Sequence, residues 1–307
     1  MNAGTTARRH DDGTTFDRVS VVSGFSRISS LVLRPLSVVL FVGLAAFAQS
    51  QPRRIISLVP AATEILFAIG AGPRVVAVSS YDREPGAVNA LPRVGALVDP
   101  NVERILSLKP DLVVVYGTQH DLKTQLDRAG IAHASFTHGG LPDVTAAIRG
   151  LGGRTGDSAR AEVVATEIEQ SLAATAARVE GRPRPRTLLV FGREPGTLRN
   201  MYASGGRGFL HDLLGVAGGD NVFADQPRES VQVTSEMLLA LRPDVVLELH
   251  PSDGPVDLSA WQPLASLPAV RNGRVIALAG SELVVPGPRI ARAAERFARA
   301  LHPGAFK

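Results

Sequence analysis

Three histidines lie where their imidazoles could act together as metal ligands. His120, His138 and His250 each follow a predicted strand, and Asp253 comes soon after the third of them. Imidazole and carboxylate groups are common ligands of transition metals, so these side chains could form a site if the fold brought them together. Their spacing matches no metal-binding motif, however, and scattered loop histidines are usually solvated or locally hydrogen-bonded. We therefore predict no metal site.

A glycine-rich loop, Ser204-Gly205-Gly206-Arg207-Gly208, precedes a predicted helix. Backbone N–H groups at such a helix start can bind an anion. The loop lacks the lysine of a Walker motif and the glycine spacing of a dinucleotide-binding loop. A tight turn into the helix is the simpler interpretation.

Catalysis has little support in these residues. No nucleophile elbow of the Gly-x-Ser-x-Gly type is present. The chain has no cysteine, which excludes a thiol nucleophile, a disulfide, a thiolate metal site and lipid attachment through an N-terminal Cys. An exported α/β hydrolase is the enzyme alternative, but we predict that the protein is not an enzyme.

From Arg54 onward, short apolar runs alternate with helical patterns of about ten residues. Such alternation predicts βαβ units and mostly parallel sheets flanked by helices. In the first half, strands are predicted at 55–58, 75–78, 111–116 and 131–136, with helices at 60–70, 101–108 and 121–129. In the second half, strands are predicted at 186–191, 244–249 and 275–278, with helices at 208–214, 234–241 and 288–301.

A long helix is predicted between the two halves. Residues 157–179 place apolar side chains at helical spacing and contain neither glycine nor proline. At 1.5 Å per residue such a helix spans roughly 30 Å, which is enough to bridge two lobes. We therefore predict an α/β protein with a lobe at 49–156, an interlobe helix at 157–180 and a second lobe at 181–307. Because the connector is helical, we expect little movement between the lobes.

One segment of each half has the same pattern. Residues 101–115 align without gaps with residues 234–248, and each copy reads as a helix with a glutamate in its first turn, then a basic residue, Pro-Asp and a buried strand. The two glutamates are Glu103 and Glu236. This repeat indicates two related lobes. The alternative is an αβ connection that arose twice because Pro-Asp favours turns and Glu favours helix starts.

The N-terminal region has the features of a secretory signal. Leu36–Ala48 is uncharged and apolar, follows Arg34, and ends in the Ala46-Phe47-Ala48 pattern of a cleavage site. The run is short for a membrane span, although an uncleaved anchor is the alternative. We therefore predict that residues 1–48 are removed and that the mature protein is periplasmic.

The charge of the chain does not indicate nucleic-acid binding. The formal net charge is +4 and the isoelectric point is about 9.9, but basic residues are interspersed with acidic ones. Without a basic block or stripe to follow a phosphate backbone, we expect no nucleic-acid partner.

Several segments resemble the cobalamin-binding proteins of ABC importers, which belong to the helical-backbone solute-binding group that also serves haem, ferric siderophores and metals. The likeness extends over residues 52–303. It implies a monomer that binds a small molecule between its lobes, holds no cofactor and delivers the ligand to an ABC importer permease dimer. The segments are PRRIISLVPAATE at 52–64, VSSY at 78–81, NVERI at 101–105, LKPDLV at 108–113, GGDNVF at 218–223, QVTSE at 232–236 and PRI at 288–290.

The same resemblance implies that Glu103 and Glu236 dock on arginines of the two permease subunits. An exposed carboxylate on each lobe would suit a two-fold partner. The alternative is that both glutamates only complement the dipoles of their helices.

For the ligand, the resemblance places the pocket at the carboxyl ends of the strands. It implies a ligand contact at Tyr81, whereas Leu97 stands where the best-known cobalamin binders have tryptophan, and Ser281 and Val285 stand where they have aspartate and arginine. Haem or a ferric siderophore therefore stays open as the ligand, with Tyr81 or His250 as a candidate ligand of its metal. The expected ligand-binding residues are Tyr81, Leu97, Phe191, Tyr202, Arg207, Ser281 and Glu282.

Overall fold

A computed structural model describes residues 51–252, 254 and 256–306. The predicted signal region and Asp253 lie outside the described residues. None of the helices in the described part of the chain is long and apolar enough to cross a membrane.

The first half is built on a parallel sheet of four strands in the order β2-β1-β3-β4. The side chains of β1 are completely buried, and the other central strand, β3, is buried over its first four residues, as expected for a sheet covered by helices on both faces. The elements are β1 (Ile55–Ser57), α1 (Pro60–Ala68), β2 (Val75–Val78), α2 (Val102–Ser107), β3 (Leu112–Tyr116), α3 (His120–Arg128), β4 (Ala132–Phe136) and α4 (Leu141–Thr155).

Helix α4 is absent from the sequence-based prediction because it contains Gly150, Gly152 and Gly153. Glycine inside a helix costs about 1 kcal/mol relative to alanine, so this composition favours a loop. The structure gives Gly152 a packing role, since a Cβ there would lie 2.3 Å from the Cβ of Ala161 on the next helix. The missing side chain allows the two helices to pack closely.

The long connector helix is present as α5, Ser158–Val179. It packs against α4 from the first half, and against α6 and α9 from the second. Arg74 forms an ion pair with Asp157 just before its first turn. Near its other end, Arg178 and Arg299 both lie over the ring of Phe306, at 5.5 and 4.8 Å from the centroid. The connector is therefore held at both ends.

The second half contains a mixed sheet in the order β10-β9-β5-β6-β8, with β7 also pairing with β5. Strand β6 runs antiparallel to both of its neighbours, whereas β5, β9 and β10 are parallel. The short strands β6 and β8 are absent from the sequence-based prediction. The elements are β5 (Arg186–Gly192), β6 (Met201–Ser204), α6 (Phe209–Val216), β7 (Asp220–Asn221), β8 (Ser230–Val233), α7 (Ser235–Leu241), β9 (Val245–His250), α8 (Pro268–Arg271), β10 (Val275–Ala279) and α9 (Ile290–Leu301).

One large hydrophobic cluster extends through both halves. It includes Ile55 and Leu66 of the first half, Ile168 of the connector, and Leu213 and Phe297 of the second half. Smaller clusters fill the opposite face of each sheet. The exact residues at which the chain divides into lobes therefore stay a prediction.

The repeated segment has the same structure in both halves. Asn101 and Thr234 cap α2 and α7, their side-chain oxygens accepting from the backbone N–H three residues later at 2.9 and 3.3 Å. Both helices are followed by a basic residue with a left-handed backbone, Lys109 at φ 46° and Arg242 at φ 48°. Such a conformation is uncommon for residues other than glycine, so its occurrence at equivalent positions supports a structural duplication.

The supports of this repeat are duplicated as well. Asp111 accepts hydrogen bonds from the backbone N–H groups of Arg53 and Arg54, at 2.7 and 2.9 Å, and Asp244 accepts one from that of Arg186 at 3.1 Å. The guanidinium groups of Arg54 and Arg186 in turn donate to the final carbonyls of α2 and α7. Each helix is thus tied to the first strand of its half.

Candidate functional site

The carboxyl ends of the two sheets meet through an ion pair in which the carboxylate is buried and the arginine is partly exposed. Arg289, just before α9, donates two hydrogen bonds to the carboxylate of Glu64 in α1, at 2.9 Å from Nε and 2.6 Å from Nη2. Glu64 follows β1, and Arg289 follows β10. Gly287 lies so close to this pair that a Cβ there would be 3.2 Å from Glu64 Oε2. With Phe67 of the first half and Pro288 of the second, the pair also lines a cavity of about 420 Å³. We call the space between the strand ends of the two halves the cleft.

The environment of this pair affects its protonation. Burial raises the pKa of Glu64, although the hydrogen bond and the charge of Arg289 oppose the rise. Arg289 is itself positioned by Ser281, whose hydroxyl accepts from it at 2.9 Å, and it lies 3.6 Å from Glu282. The contact between the halves thus belongs to a small network of charged and polar groups.

Glu282 belongs to this network. Burial alone would raise the pKa of its carboxyl, but its own backbone N–H and Arg296 lower that pKa overall. Arg296 donates to its Oε1 at 2.7 Å. The Glu282 carboxylate is buried and already paired with arginines. This arrangement does not favour the predicted direct contact between Glu282 and a ligand.

A second contact between the halves lies at another point of the cleft. The N–H of Leu141 donates to Asp212 Oδ2 at 2.8 Å, and His138 Nδ1 lies 3.9 Å from Glu229 Oε2. A Cβ on Gly140 would be 2.5 Å from the same Asp212 oxygen, so the absence of a side chain allows this approach. The two halves are therefore joined by two separate sets of polar contacts.

On the first half, Tyr81 extends from a well-anchored loop. Its side chain is 68% exposed, whereas its neighbour Asp82 is fully buried. Asp82 accepts hydrogen bonds from the N–H and hydroxyl of Ser79 at 2.9 and 2.6 Å, and Arg93 donates to the carbonyls of both residues. Burial raises the pKa of Asp82, and these hydrogen bonds oppose the rise. The fixed loop orients an exposed aromatic ring at the end of β2.

Leu97 lies on the neighbouring loop. The side-chain amide of Gln119 donates to the carbonyl of Leu97 at 3.0 Å and accepts from the N–H of Tyr116 at 2.9 Å. This link places Leu97, which is 42% exposed, beside the end of β3. The loop is also joined to the one that carries Tyr81, since Ser80 N–H donates to Gly95 O at 2.8 Å. The two predicted contact residues of this half therefore belong to one connected rim.

On the second half, Tyr202 is the exposed aromatic residue. It pairs with Gly192 at the carboxyl end of β5 and is 42% exposed. A nearby cavity of about 290 Å³ is lined by Phe191 and Arg207, together with Phe209 and Val284. Three of the predicted contact residues of this half thus lie around the end of one central strand.

A further cavity of about 420 Å³ lies at the ends of β5 and β9, and the sequence analysis did not identify its polar residues as a group. Buried Glu248 accepts from Arg193 Nε at 2.8 Å and from the indole N–H of Trp261 at 2.7 Å. His250 Nε2 lies 2.9 Å from the same carboxylate. The sequence does contain a signal for this group, because Glu248 lies inside the apolar run DVVLEL. A charged residue that is buried in a strand requires polar partners.

The other candidate constellations are separated by the fold. His120 is exposed at the start of α3, while His138 and His250 each lie beside a different glutamate. No group of three or more potential metal ligands occurs in the part of the chain that the structure describes. In the glycine loop at 204–208, the N–H groups of Gly205 and Gly206 donate to the carbonyls of Glu229 and Gln226, so these two groups are not free to bind an anion.

Taken together, two α/β halves that each present an exposed aromatic residue near their strand ends fit a two-lobed binding protein. The chain belongs to the periplasmic binding protein family, whose sequence model matches residues 55–281. It is 29% identical over 269 residues to the vitamin B12-binding protein of Pectobacterium carotovorum, covering 85% of this chain and 94% of that one.

Solved structures show the same similarity. The periplasmic vitamin B12-binding protein of Vibrio cholerae has a TM-score of 0.71 at 28% identity, covering 84% of this chain and 99% of that one. The periplasmic haem-binding protein of Roseiflexus has a TM-score of 0.70, also at 28% identity, with coverage of 82% and 99%. The predicted fold class of two α/β lobes and the predicted family are therefore confirmed.

Proposed function

We propose that this protein binds a corrinoid, cobalamin, in the cleft between its lobes and delivers it to an ABC importer. The observation that carries the proposal is the pair of exposed tyrosines, Tyr81 and Tyr202, at strand ends on the two halves of a protein related along most of its length to vitamin B12-binding proteins. Flat aromatic faces suit the apolar surface of a macrocycle. Because the family is one of binding proteins, we propose that the ligand is captured and released without chemical change.

The site of action follows from the family. Periplasmic binding proteins work outside the inner membrane, and a signal at residues 1–48 would bring this chain there. Glu103 and Glu236, both exposed in the first turns of α2 and α7, would dock on a permease dimer. Hydrogen bonds from its own backbone N–H and from Thr234 lower the pKa of Glu236, so it carries a negative charge at neutral pH.

Haem or a ferric hydroxamate is the second candidate ligand. Related proteins of known structure include a haem-binding protein at 28% identity and a protein of an Fe³⁺-hydroxamate transport system at 26% identity. Leu97, Ser281 and Val285 also depart from the residues of the best-known cobalamin binders. These positions could adapt the same cleft to a different macrocycle or chelate.

A ligand panel tests the proposal. At a concentration 100 times the dissociation constant, a ligand adds about 2.7 kcal/mol to the free energy of unfolding, which corresponds to a rise in Tm of roughly 5–10 °C for a protein of this size. We expect cyanocobalamin and cobinamide to give this shift, and hemin and ferric hydroxamates to give none. A shift with hemin alone would replace the corrinoid by haem, and no shift with any of the four would refute the ligand assignment.

Trp261 supplies an independent readout. It is the only tryptophan of the chain and is buried beside the cavity at the ends of β5 and β9. Corrinoids absorb light in the range where tryptophan emits, so binding in the cleft should quench its fluorescence in a saturable manner. Titration with cyanocobalamin then gives the affinity directly.

A further inference from the structure

Two exposed leucines occupy equivalent positions in the two halves. Leu106 lies in α2 and Leu239 in α7, and their side chains are 38% and 46% exposed. Each follows the glutamate of its own helix, Glu103 or Glu236, by three residues. Residues three apart are neighbours on a helix surface, so each half presents a carboxylate beside an apolar side chain.

Neither leucine is needed for the hydrophobic core. The inward face of each helix is provided by Ile105 and Leu238, which are completely buried. A single exposed leucine is common in soluble proteins and needs no explanation. Its recurrence at the same position of both repeats, beside the same acidic residue, is a more specific observation.

The hydrogen bonds that hold the two helices in place are also equivalent. Each helix is capped by a polar side chain at its start, and each has its final carbonyls held by an arginine from the first strand of its half. A surface that is already ordered loses little conformational entropy on binding. Both pairs are therefore presented as rigid, preorganised patches.

We infer that Glu103–Leu106 and Glu236–Leu239 form two equivalent docking patches in which the leucines supply the apolar contact beside each carboxylate. The partner that fits is a membrane protein with two equivalent sites, each containing a basic group next to an apolar depression. This inference rests on the proposed function, because the permease dimer of an importer has this two-fold form.

Other occupants fit these patches less well. A second copy of this chain would bring carboxylate against carboxylate, which is repulsive. An anionic lipid surface offers no pair of equivalent sites to match the duplicated patches. A basic, two-fold partner satisfies both the charge and the duplication.

Crosslinking tests the inference without knowledge of the ligand. The chain has no cysteine, so Leu106→Cys and Leu239→Cys each introduce a unique thiol that can carry a photoreactive maleimide. Val163→Cys is the matched control, because Val163 is 44% exposed on α5 and lies outside the repeat. In membranes of the native host, we expect both leucine positions to crosslink to the same polypeptide, identified by mass spectrometry as a multi-spanning permease, and Val163→Cys to crosslink to none. Crosslinks to different proteins, or to none, would overturn the inference.

Uptake measurements separate this inference from the proposed function. In host cells whose own gene is deleted, we expect Leu106→Ala and Leu239→Ala each to lower the uptake of labelled cyanocobalamin about fivefold, with Val163→Ala unchanged. Affinity measured by Trp261 quenching should be unchanged in all three variants. Loss of affinity would place the leucines in the ligand cleft, and unchanged uptake in the leucine variants would refute the docking role. If the wild-type protein bound only hemin, the corrinoid proposal would fail. Uptake of labelled hemin by the leucine variants and by Val163→Ala would then still test the docking role of the leucines.

Discussion

Arg289 and Glu64 are separated by 225 residues of chain, yet they form a two-point hydrogen-bonded ion pair at 2.6 and 2.9 Å. Two parallel N–H···O bonds fix the orientation of both groups, which a single contact would not do. Glu64 follows β1 and Arg289 follows β10. The pair therefore sets the position of the carboxyl end of one sheet against the carboxyl end of the other. The geometry of the cleft therefore depends on a contact far from its exposed aromatic rim.

Loss of this pair should destabilise the protein. Arg289→Ala leaves Glu64 buried without its partner, and we expect the free energy of unfolding to fall by about 3 kcal/mol, the low end for a broken buried pair because Arg289 is partly exposed. Glu295→Ala is the control, since its pair with Arg299 is exposed, the two arginines over Phe306 are kept, and the loss should be about 0.5 kcal/mol. Urea unfolding followed by Trp261 fluorescence measures both. Equal losses in the two variants would contradict the structural role of Arg289.

The same carboxylate should give stability a dependence on pH. Burial raises the pKa of Glu64 above its usual 4.5, so the folded protein holds this proton more tightly than the unfolded chain does. Its contribution to the free energy of unfolding is complete below the usual pKa and is lost as pH rises through the raised value. In Glu64→Gln this titration is removed. We therefore expect the stability of the wild type relative to the variant to decrease as pH increases from about 4 to 7; an increase over that range would contradict the sign.

Sequence patterns predicted the regular part of the fold because its apolar strands and helices carry their own periodicity. Strand Leu112–Tyr116 and helix Ser158–Val179 both lie within one residue of their predicted bounds. Helix α4 was missed because three glycines disfavour a helix locally, and close packing against Ala161 decides the outcome. The Glu64–Arg289 pair could not be predicted either, since nothing local specifies contact between residues so distant in the chain.

The duplicated aspartates should contribute unequally to stability. Asp111 accepts two backbone hydrogen bonds and Asp244 accepts one, so we expect Asp111→Ala to cost about 2 kcal/mol and Asp244→Ala about 1 kcal/mol. Their sites share no partner, so the double variant should lose the sum of the two. Urea unfolding of the three variants measures the free energies. A larger loss for Asp244→Ala would contradict this account of the repeat.

The exposed tyrosines should contribute more to ligand affinity than to folding. Tyr81 is 68% exposed, so its replacement by alanine should leave Tm nearly unchanged, whereas Tyr202 is 42% exposed within β6 and its replacement should lower Tm by a few degrees. Loss of an aromatic contact of about 1.4 kcal/mol corresponds to a tenfold weaker affinity for cyanocobalamin. Val163→Ala, also an exposed apolar residue, is the control for a nonspecific effect. Unchanged affinity in both tyrosine variants would place the ligand elsewhere.

Ligand binding should change the overall dimensions only slightly. Helix α5 packs against both halves, and Arg178 of α5 and Arg299 of α9 both lie over the ring of Phe306. The Glu64–Arg289 pair joins the carboxyl ends of the two sheets. The two halves are connected through helix α5, and hinge closure requires a few residues that absorb large backbone changes. We expect the radius of gyration, about 18 Å for the roughly 260 residues that remain without the predicted signal region, to decrease by less than about 0.5 Å with saturating ligand. X-ray scattering measures it, and Arg289→Ala combined with Phe306→Ala should permit a larger change because both ties are removed. A large compaction in the wild type would show that the halves move despite these contacts.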